Sequence, residues 1–143
     1  MTLVYLDTSA LLKLCVLETG TPLAVALWEG AGTLVTSRIA DAEVRSVLST
    51  AERIGRIDAA PAAKARDRWD ELRPGLTLVE VSPRVADAAA ELADKRPLRA
   101  GDAIHLASAL LLREAEPLFA AWDRRLASAA RAEGLTVLPP ALA

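Results

Sequence analysis

Four acidic residues of this chain lie beside apolar segments, where a carboxylate is costly to bury. Asp7 follows an apolar run at residues 3–6, and Glu43 falls on the apolar side of a predicted helix. Asp102 and Asp123 stand at the starts of two further predicted helices. A half-buried carboxylate without a partner costs several kcal/mol, so it needs hydrogen bonds, a cation or a proton. If the four meet at one point, they form the all-oxygen donor set that Mg²⁺ or Mn²⁺ prefers.

A divalent cation held by carboxylates, with water in its open positions, suits the hydrolysis of a phosphodiester bond. Such an ion lowers the pKa of the attacking water and neutralises the charge that develops on the phosphoryl oxygens. Zinc would instead favour a cluster of histidines and cysteines, and the chain has one of each. The acid set therefore indicates Mg²⁺ or Mn²⁺ rather than Zn²⁺.

Each acid also has a structural explanation, which weakens the case for any one of them alone. Asp7, Asp102 and Asp123 could each cap a helix, because a carboxylate accepts hydrogen bonds from free backbone N–H groups and complements the helix dipole. Glu43 is different. It lies four residues from both Ile39 and Val47 on one helix face, so we expect it to point towards the core.

The elements that must position these acids alternate along the chain as strand and helix, without a linker or repeat. Short apolar strands are predicted at residues 3–6, 33–36, 76–81, 118–122 and 135–138. Five such strands separated by helices indicate a three-layer α/β/α domain with a parallel five-stranded central sheet, and we expect a single domain over residues 1–143. Ligands bind outside the carboxyl ends of such strands. Asp7 and Asp123 therefore face one crevice if the first and fourth strands are neighbours.

Three helix starts can be predicted from capping residues. Thr8 or Ser9 is expected to cap the first helix, and Ser37 a long helix that ends near Ile54. Asp102 is expected to open a helix that runs to about Arg113.

The composition limits the class of protein. The hydrophobic fraction of 52% with 3% aromatic residues predicts a folded core of Leu, Val and Ala rather than disorder. The net charge of −2 is not typical of a nucleic-acid binder, although a metal site can engage phosphates in an acidic protein. No apolar run has the length of a membrane span. The single cysteine, Cys15, fits a reducing cytoplasm.

Four short segments carry the acids: Tyr-Leu-Asp-Thr-Ser-Ala-Leu at 5–11, Ala-Glu-Val at 42–44, Leu-Arg-Ala-Gly-Asp-Ala-Ile-His-Leu-Ala at 98–107, and Trp-Asp-Arg-Arg-Leu at 122–126. In this order and on these elements they resemble the successive motifs of PIN-domain ribonucleases. The likeness is greatest to the VapC-type toxins of bacterial toxin–antitoxin pairs. It extends from Asp7 to Gly134, nearly the whole chain.

The resemblance implies an endoribonuclease that depends on Mg²⁺ or Mn²⁺ and cleaves RNA. It also implies a homodimer that a cognate VapB-type antitoxin silences by inserting a segment across the acidic groove. Thr8 or Ser9 matches the small polar residue that orients the first carboxylate and the water molecules on the metal. The positions that match the catalytic, metal-binding acids are Asp7, Glu43, Asp102 and Asp123.

Two departures from the family pattern concern the last motif. Ala121 stands where the family often has Thr or Ser, two residues before the last acid. Arg124 and Arg125 stand where some relatives have a further acid. Asp123 is therefore expected to bind metal mainly through water.

Basic residues near the acid motifs in sequence are candidates for holding the RNA backbone, namely Arg38, Arg45, Arg99, Arg124 and Arg125. His105 lies three residues after Asp102, and packing or hydrogen bonding on its helix is favoured over a general-base role.

Two other classes of enzyme need residues that this chain lacks. A haloacid-dehalogenase-type phosphatase needs a second Asp two residues after Asp7, where this chain has Ser9. A phosphoacceptor receiver domain needs an Asp at the end of the third strand, where this chain has Val81 and Ser82. A catalytically weak PIN-like module that binds RNA or another protein stays open as an alternative.

Overall fold

Five parallel strands form one central sheet in the computed structural model, which describes residues 2–142. The strands lie side by side in the order β3-β2-β1-β4-β5, and every neighbouring pair is parallel. Their bounds are β1 Leu3–Leu6, β2 Thr33–Ser37, β3 Thr77–Val79, β4 Leu118–Ala120 and β5 Thr136–Leu138. The predicted parallel five-stranded sheet is confirmed.

Helices cover both faces of this sheet, so the three-layer α/β/α prediction is also confirmed. Side chains from α1 to α4 form one apolar core with one face of the sheet, and side chains from α5 to α7 form a second core with the other. The helices are α1 Thr8–Cys15, α2 Thr21–Gly30, α3 Ala40–Arg53, α4 Ala59–Leu72, α5 Pro83–Lys95, α6 Ala100–Leu110 and α7 Arg124–Ala132.

The central strand β1 shows why its sequence is apolar at successive positions. Val4 and Leu6 belong to the core on the α1–α4 side, whereas Tyr5 belongs to the core on the α5–α7 side. Side chains alternate across a strand, and both faces are covered, so both sets must be apolar. None of the helices within residues 2–142 combines the length and the apolar character that crossing a bilayer requires.

The strand order reverses at β1, which pairs with β2 on one side and with β4 on the other. The condition for Asp7 and Asp123 to face one crevice, that the first and fourth strands are neighbours, is therefore met. The backbone N–H of Asp7 continues this pairing beyond β1, donating to the carbonyl of Ala120 at 3.2 Å. This is the crevice position at which ligands bind in open parallel sheets.

Two predicted helix starts at the acid motifs are wrong. The first helix is capped by Asp7, whose side chain accepts from the backbone N–H of Ala10, and Thr8 is already its first helical residue. The helix α6 begins at Ala100, with Arg99 at the cap position, so Asp102 lies inside the first turn instead of opening the helix.

Ser37 is likewise not the cap of the long helix α3. That helix begins at Ala40, after Ile39, while the Ser37 hydroxyl accepts from the Ile39 N–H at 3.2 Å in the turn before it. Its end is as predicted: α3 stops at Arg53, and Gly55 has a φ of 78°, a conformation that glycine adopts without strain.

Candidate functional site

One groove brings the four predicted acids together at the carboxyl edge of the sheet. It has a volume of about 390 Å³. It is lined by Asp7, Glu43, Asp102 and Asp123, together with Thr8, Ser9, Leu12, Val47, Arg99 and Gly101. The predicted meeting of the four acids at one place is therefore found in the structure.

Asp7 is the innermost of the four acids, with 2% of its surface exposed. Its Oδ1 accepts hydrogen bonds from the Ser9 hydroxyl at 2.6 Å and from the Ala10 N–H at 2.9 Å. Burial raises the pKa of Asp7 to about 6, although the neighbouring His105 and these hydrogen bonds oppose the rise. A proton or another cation that neutralises this carboxylate therefore lowers its free energy.

Glu43 approaches the same groove from α3. Its Oε1 accepts from the Thr8 hydroxyl at 2.7 Å and from His105 Nε2 at 2.7 Å. Burial alone would raise the pKa of Glu43, but the His105 hydrogen bond and charge, with Thr8, outweigh burial and lower it. The expectation that Glu43 points into the core is wrong. Its side chain is 32% exposed, and Val47 on the same face is exposed, so this face borders the groove.

Gly101 closes the groove behind Glu43. A Cβ atom at position 101 would lie 2.5 Å from Glu43 Oε2, a distance that real Cβ contacts do not show. Glycine weakens a helix interior, and it is tolerated where another group must approach the backbone closely. The glycine in the first turn of α6 therefore makes room for the Glu43 carboxylate.

Asp102 and Asp123 form the outer part of the groove. Asp123 caps α7, accepting from the Leu126 N–H at 2.9 Å. Arg99 lies beside both acids, with Nε 3.5 Å from Asp102 Oδ2 and Nη2 3.8 Å from Asp123 Oδ2. Burial raises the pKa of Asp102; Arg99 opposes the rise and the charge of Asp123 adds to it.

The donor set fits a hard divalent cation in its chemistry but is not a closed chelate. All four acids present oxygen, and the repulsion between Asp102 and Asp123 is the kind that a cation relieves. Within residues 2–142, however, no three His, Cys, Asp or Glu side chains stand close enough together to hold an ion. Side-chain movement in the outer acids would be needed to complete a shell of protein oxygens and water.

A second, basic groove of about 450 Å³ continues from the outer acids. Arg99, Asp102 and Asp123 line both grooves, and Arg124, Arg125 and Pro97 complete the second one. Three of the five predicted RNA-binding arginines therefore lie next to the acid site.

The other two predicted arginines lie elsewhere. Arg38 pairs with Glu80, and Arg45 pairs with Asp41 and Asp70. The structure does not bring either arginine into the acidic groove or the basic one.

His105 is the residue whose role the sequence most understated. It is packed and hydrogen-bonded as predicted, with 1% of its surface exposed, but its partners are not on its own helix. Nδ1 lies 2.8 Å from the Tyr5 hydroxyl, and Nε2 contacts Glu43 and also lies 3.1 Å from the Thr8 hydroxyl. Its place among the apolar residues of α6 was a signal that a polar partner must exist.

Ser9 joins the inner and outer parts of the groove. Its hydroxyl donates to Asp7 and accepts from the backbone N–H of Trp122 at 2.9 Å. Because Trp122 immediately precedes Asp123, this bond ties the start of α1 to the segment that carries the last acid. Ser9 bonds to the first carboxylate, Asp7, whereas Thr8 bonds to Glu43. A supporting role of either residue at a metal stays a prediction.

The fold and the acid groove define a PIN domain, and the PIN domain family profile matches residues 4–132. The chain belongs to the PIN domain family. It is 41% identical over 142 residues to ribonuclease VapC45 of Mycobacterium tuberculosis (strain CDC 1551 / Oshkosh), which covers 99% of both chains. That degree of identity over the full length places it among the VapC-type members.

Solved structures agree with this assignment at the level of the fold. FitAcB from Neisseria gonorrhoeae matches with a TM-score of 0.69 and 17% identity, over 96% of this chain and 97% of that chain. A toxin–antitoxin complex from Klebsiella pneumoniae matches with a TM-score of 0.66 and 20% identity, over 98% of this chain and 99% of that chain.

Proposed function

We propose that this protein is a metal-dependent endoribonuclease that acts as the toxin of a toxin–antitoxin pair. The observation that carries the proposal is the convergence of Asp7, Glu43, Asp102 and Asp123 in one groove beside a basic groove. Its family membership and the 41% identity to a ribonuclease support the same activity.

The four acids would hold Mg²⁺ or Mn²⁺, with Asp7 and Glu43 as the fixed members and Asp102 and Asp123 as the adjustable ones. When bound, the cation supplies an acidified water for attack and neutralises the charge on the phosphoryl oxygens. The chain's own part is to hold the carboxylates. Ser9 and the Ala10 N–H fix Asp7. Thr8 donates to Glu43, and the Leu126 N–H holds one oxygen of Asp123.

RNA would lie across both grooves, with its scissile phosphate over the acids and the adjoining backbone on Arg99, Arg124 and Arg125. Arg99 is 81% exposed at its side chain and stands where the two grooves meet, so it can reach a phosphate without unfolding any element. Arginine suits this task because its planar guanidinium binds phosphate oxygens in pairs. Contact of RNA with Arg38 and Arg45 stays a prediction, to be tested by RNA binding of Arg38→Gln and Arg45→Gln.

The partners follow from the family and its neighbours. A VapB-type antitoxin would cover the acidic groove, and the toxin–antitoxin complex with the same fold supports such a partner. We also propose a homodimer and a cytoplasmic place of action, where RNA substrates and the antitoxin are made.

The test is cleavage of total RNA by the purified protein with Mg²⁺, with Mn²⁺ and with EDTA. We expect cleavage that the chelator abolishes and that Asp7→Asn and Asp102→Asn both remove. Arg66→Gln serves as a control that changes charge outside both grooves. Cleavage that survives EDTA or both substitutions would contradict the proposal. RNA binding without any cleavage would favour the catalytically weak RNA-binding module instead.

The toxin role has a separate test in cells. Expression of the chain alone should arrest growth, and co-expression of the protein encoded beside its gene should restore it. Asp7→Asn should be harmless in both settings. Normal growth during expression of an enzyme that cleaves RNA in vitro would show that the activity is right and the toxin role wrong.

A further inference from the structure

A series of hydrogen bonds connects the core beside the sheet to the acidic groove. The Tyr5 hydroxyl bonds to His105 Nδ1 at 2.8 Å, and His105 Nε2 bonds to Glu43 Oε1 at 2.7 Å. Tyr5 lies on β1, His105 on α6 and Glu43 on α3, so these hydrogen bonds connect three elements. The proposed reaction gives no task to His105 itself, although it is the single histidine of the sequence.

The proton positions follow from what each atom can do. The Glu43 carboxylate only accepts, and its Oε1 already receives the Thr8 hydroxyl proton at 2.7 Å. His105 Nε2 must therefore carry the hydrogen of the bond to Oε1. Two donors thus converge on one oxygen of Glu43, which restricts the rotation of the carboxylate about its last bond.

The histidine is itself held rigidly. The Tyr5 ring contacts it edge to face, with centroids 5.8 Å apart and planes at 80°. Tyr5 in turn stacks on Phe119 at 5.3 Å, and all three rings are buried. A ring that is packed on its neighbours and bonded at both nitrogens has little freedom to turn.

The other oxygen of Glu43 occupies space that Gly101 leaves open. A Cβ at position 101 would come within 2.5 Å of Oε2, so the present orientation of the carboxylate depends on the missing side chain. Thr8 and His105 hold Oε1 in that orientation.

We propose that His105 is a positioning residue that fixes the Glu43 carboxylate for the metal. The inference rests on the proposed function, because it assumes that Glu43 contributes to cation binding. His105 does not touch RNA or the cation; it acts through Glu43. Residues that orient a metal ligand in this way typically account for 10- to 100-fold in metal affinity.

The test is Mn²⁺ affinity, measured by calorimetry on the metal-free full chain, alongside unfolding in urea. His105→Leu removes both hydrogen bonds, and we expect it to weaken Mn²⁺ binding by about 10- to 100-fold. His105→Gln can still donate an N–H to Glu43, and it should recover most of that affinity. Urea unfolding identifies any variant that fails to fold.

The matched control is Trp69→Phe. Trp69 is another buried ring whose N–H donates to a carboxylate of α3, Asp41, at 2.8 Å, but this pair lies outside the acidic groove. Trp69→Phe should lower stability and leave Mn²⁺ affinity unchanged. A similar loss of affinity in this control would mean that destabilisation alone weakens the site, and the inference would fall.

A double substitution separates positioning from general damage. In a Glu43→Gln background, His105→Leu should weaken Mn²⁺ binding no further, because the group through which it acts is gone. Equal losses in both backgrounds would overturn the inference. Unchanged affinity in His105→Leu overturns the positioning role and leaves the proposed function intact, whereas absence of Mn²⁺ binding by the wild-type chain overturns both.

Discussion

The inner and outer parts of the acidic groove are built in different ways. Asp7 and Glu43 each have one oxygen that accepts two hydrogen bonds from fixed groups of the protein. Asp102 and Asp123 have the exposed Arg99 as a common neighbour, at 3.5 and 3.8 Å. The inner acids are set in place by the fold. In the outer acids the Leu126 N–H holds only Oδ1 of Asp123, and both Oδ2 atoms face Arg99, a side chain that an incoming metal or phosphate can displace.

This difference explains how the protein offsets the repulsion among four like charges in one groove. The inner pair is stabilised by hydrogen-bond donors, which offset part of the cost of burying Asp7, and the outer pair by Arg99. A site with one rigid half and one adjustable half can bind a cation without first assembling the whole shell. We expect the two halves to respond differently to substitution.

The largest expected difference is in catalysis. Asp7→Asn keeps the acceptor Oδ1 but removes the charge, and we expect kcat/KM for RNA to fall about 1,000-fold, equal to about 4 kcal/mol. Asp123→Asn should cost about 10-fold, because that acid is outer and adjustable. Initial rates of RNA cleavage in Mn²⁺ measure both. Equal losses would show that the two halves do not differ in function.

The second difference is in stability without metal. Burial raises the pKa of Asp7 to about 6 from an ordinary value of 3.8. The unfolded chain therefore loses this proton first, and stability from Asp7 falls as pH rises from about 4 to about 6. Asp7→Asn avoids the cost and should stabilise the metal-free protein by about 1–3 kcal/mol at pH 7.5.

Urea unfolding in EDTA checks this expectation, with Asp123→Asn as the control at a partly exposed acid. The gain from Asp7→Asn should shrink towards zero near pH 3.5, where both states of the wild type bind the proton. A destabilised Asp7→Asn protein at pH 7.5 would show that the buried charge is already compensated by the protein.

The third effect concerns Gly101, the glycine beside the Glu43 carboxylate. Gly101→Ala favours a helix by about 1 kcal/mol but places a Cβ against Glu43 Oε2. We expect activity to fall about 10-fold while the urea midpoint changes little, because the carboxylate must turn away from its present orientation. Gly30→Ala, at a helical glycine with open space around it, is the control that should leave activity unchanged. Wild-type activity in Gly101→Ala would mean that Glu43 functions in other orientations as well.

The smallest effect is expected in the outer half. Arg99→Gln should weaken RNA binding by the inactive Asp7→Asn protein and reduce the slope of log affinity against log salt by about 1. Arg66→Gln should leave the slope unchanged, because Arg66 pairs with Glu52 outside the grooves. Binding curves at several salt concentrations measure the slopes. Equal slopes for Arg99→Gln and the parent would remove Arg99 from the RNA path.

The parts of the site that follow strands were predictable from sequence, and the parts made by distant side chains were not. Asp7 and Asp123 follow short apolar strands, and the rule for ligand sites in parallel sheets places such residues in one crevice. The three-layer fold followed from the alternation of strands and helices. These inferences need only local pattern and a general rule of topology.

The start of α6 was not predicted correctly. The sequence predicts a helix that opens at Asp102, but the helix begins at Ala100 and includes Gly101. The Glu43 carboxylate, which comes from another helix, occupies the space that a side chain at position 101 would need. The bonds of His105 to Tyr5 and Glu43 are equally invisible in sequence, because their partners lie on β1 and α3.

The position of β1 in the middle of the sheet has a consequence for synthesis of the chain. Val4 of β1 pairs with Leu118 of β4, and the Ser9 hydroxyl accepts from the N–H of Trp122. A nascent chain that lacks β4 has an open edge at its central strand and no Asp123, so its groove cannot form. Such distant pairings form late in folding. If the proposed function holds, the nuclease site is incomplete until β4 and Asp123 have been synthesised.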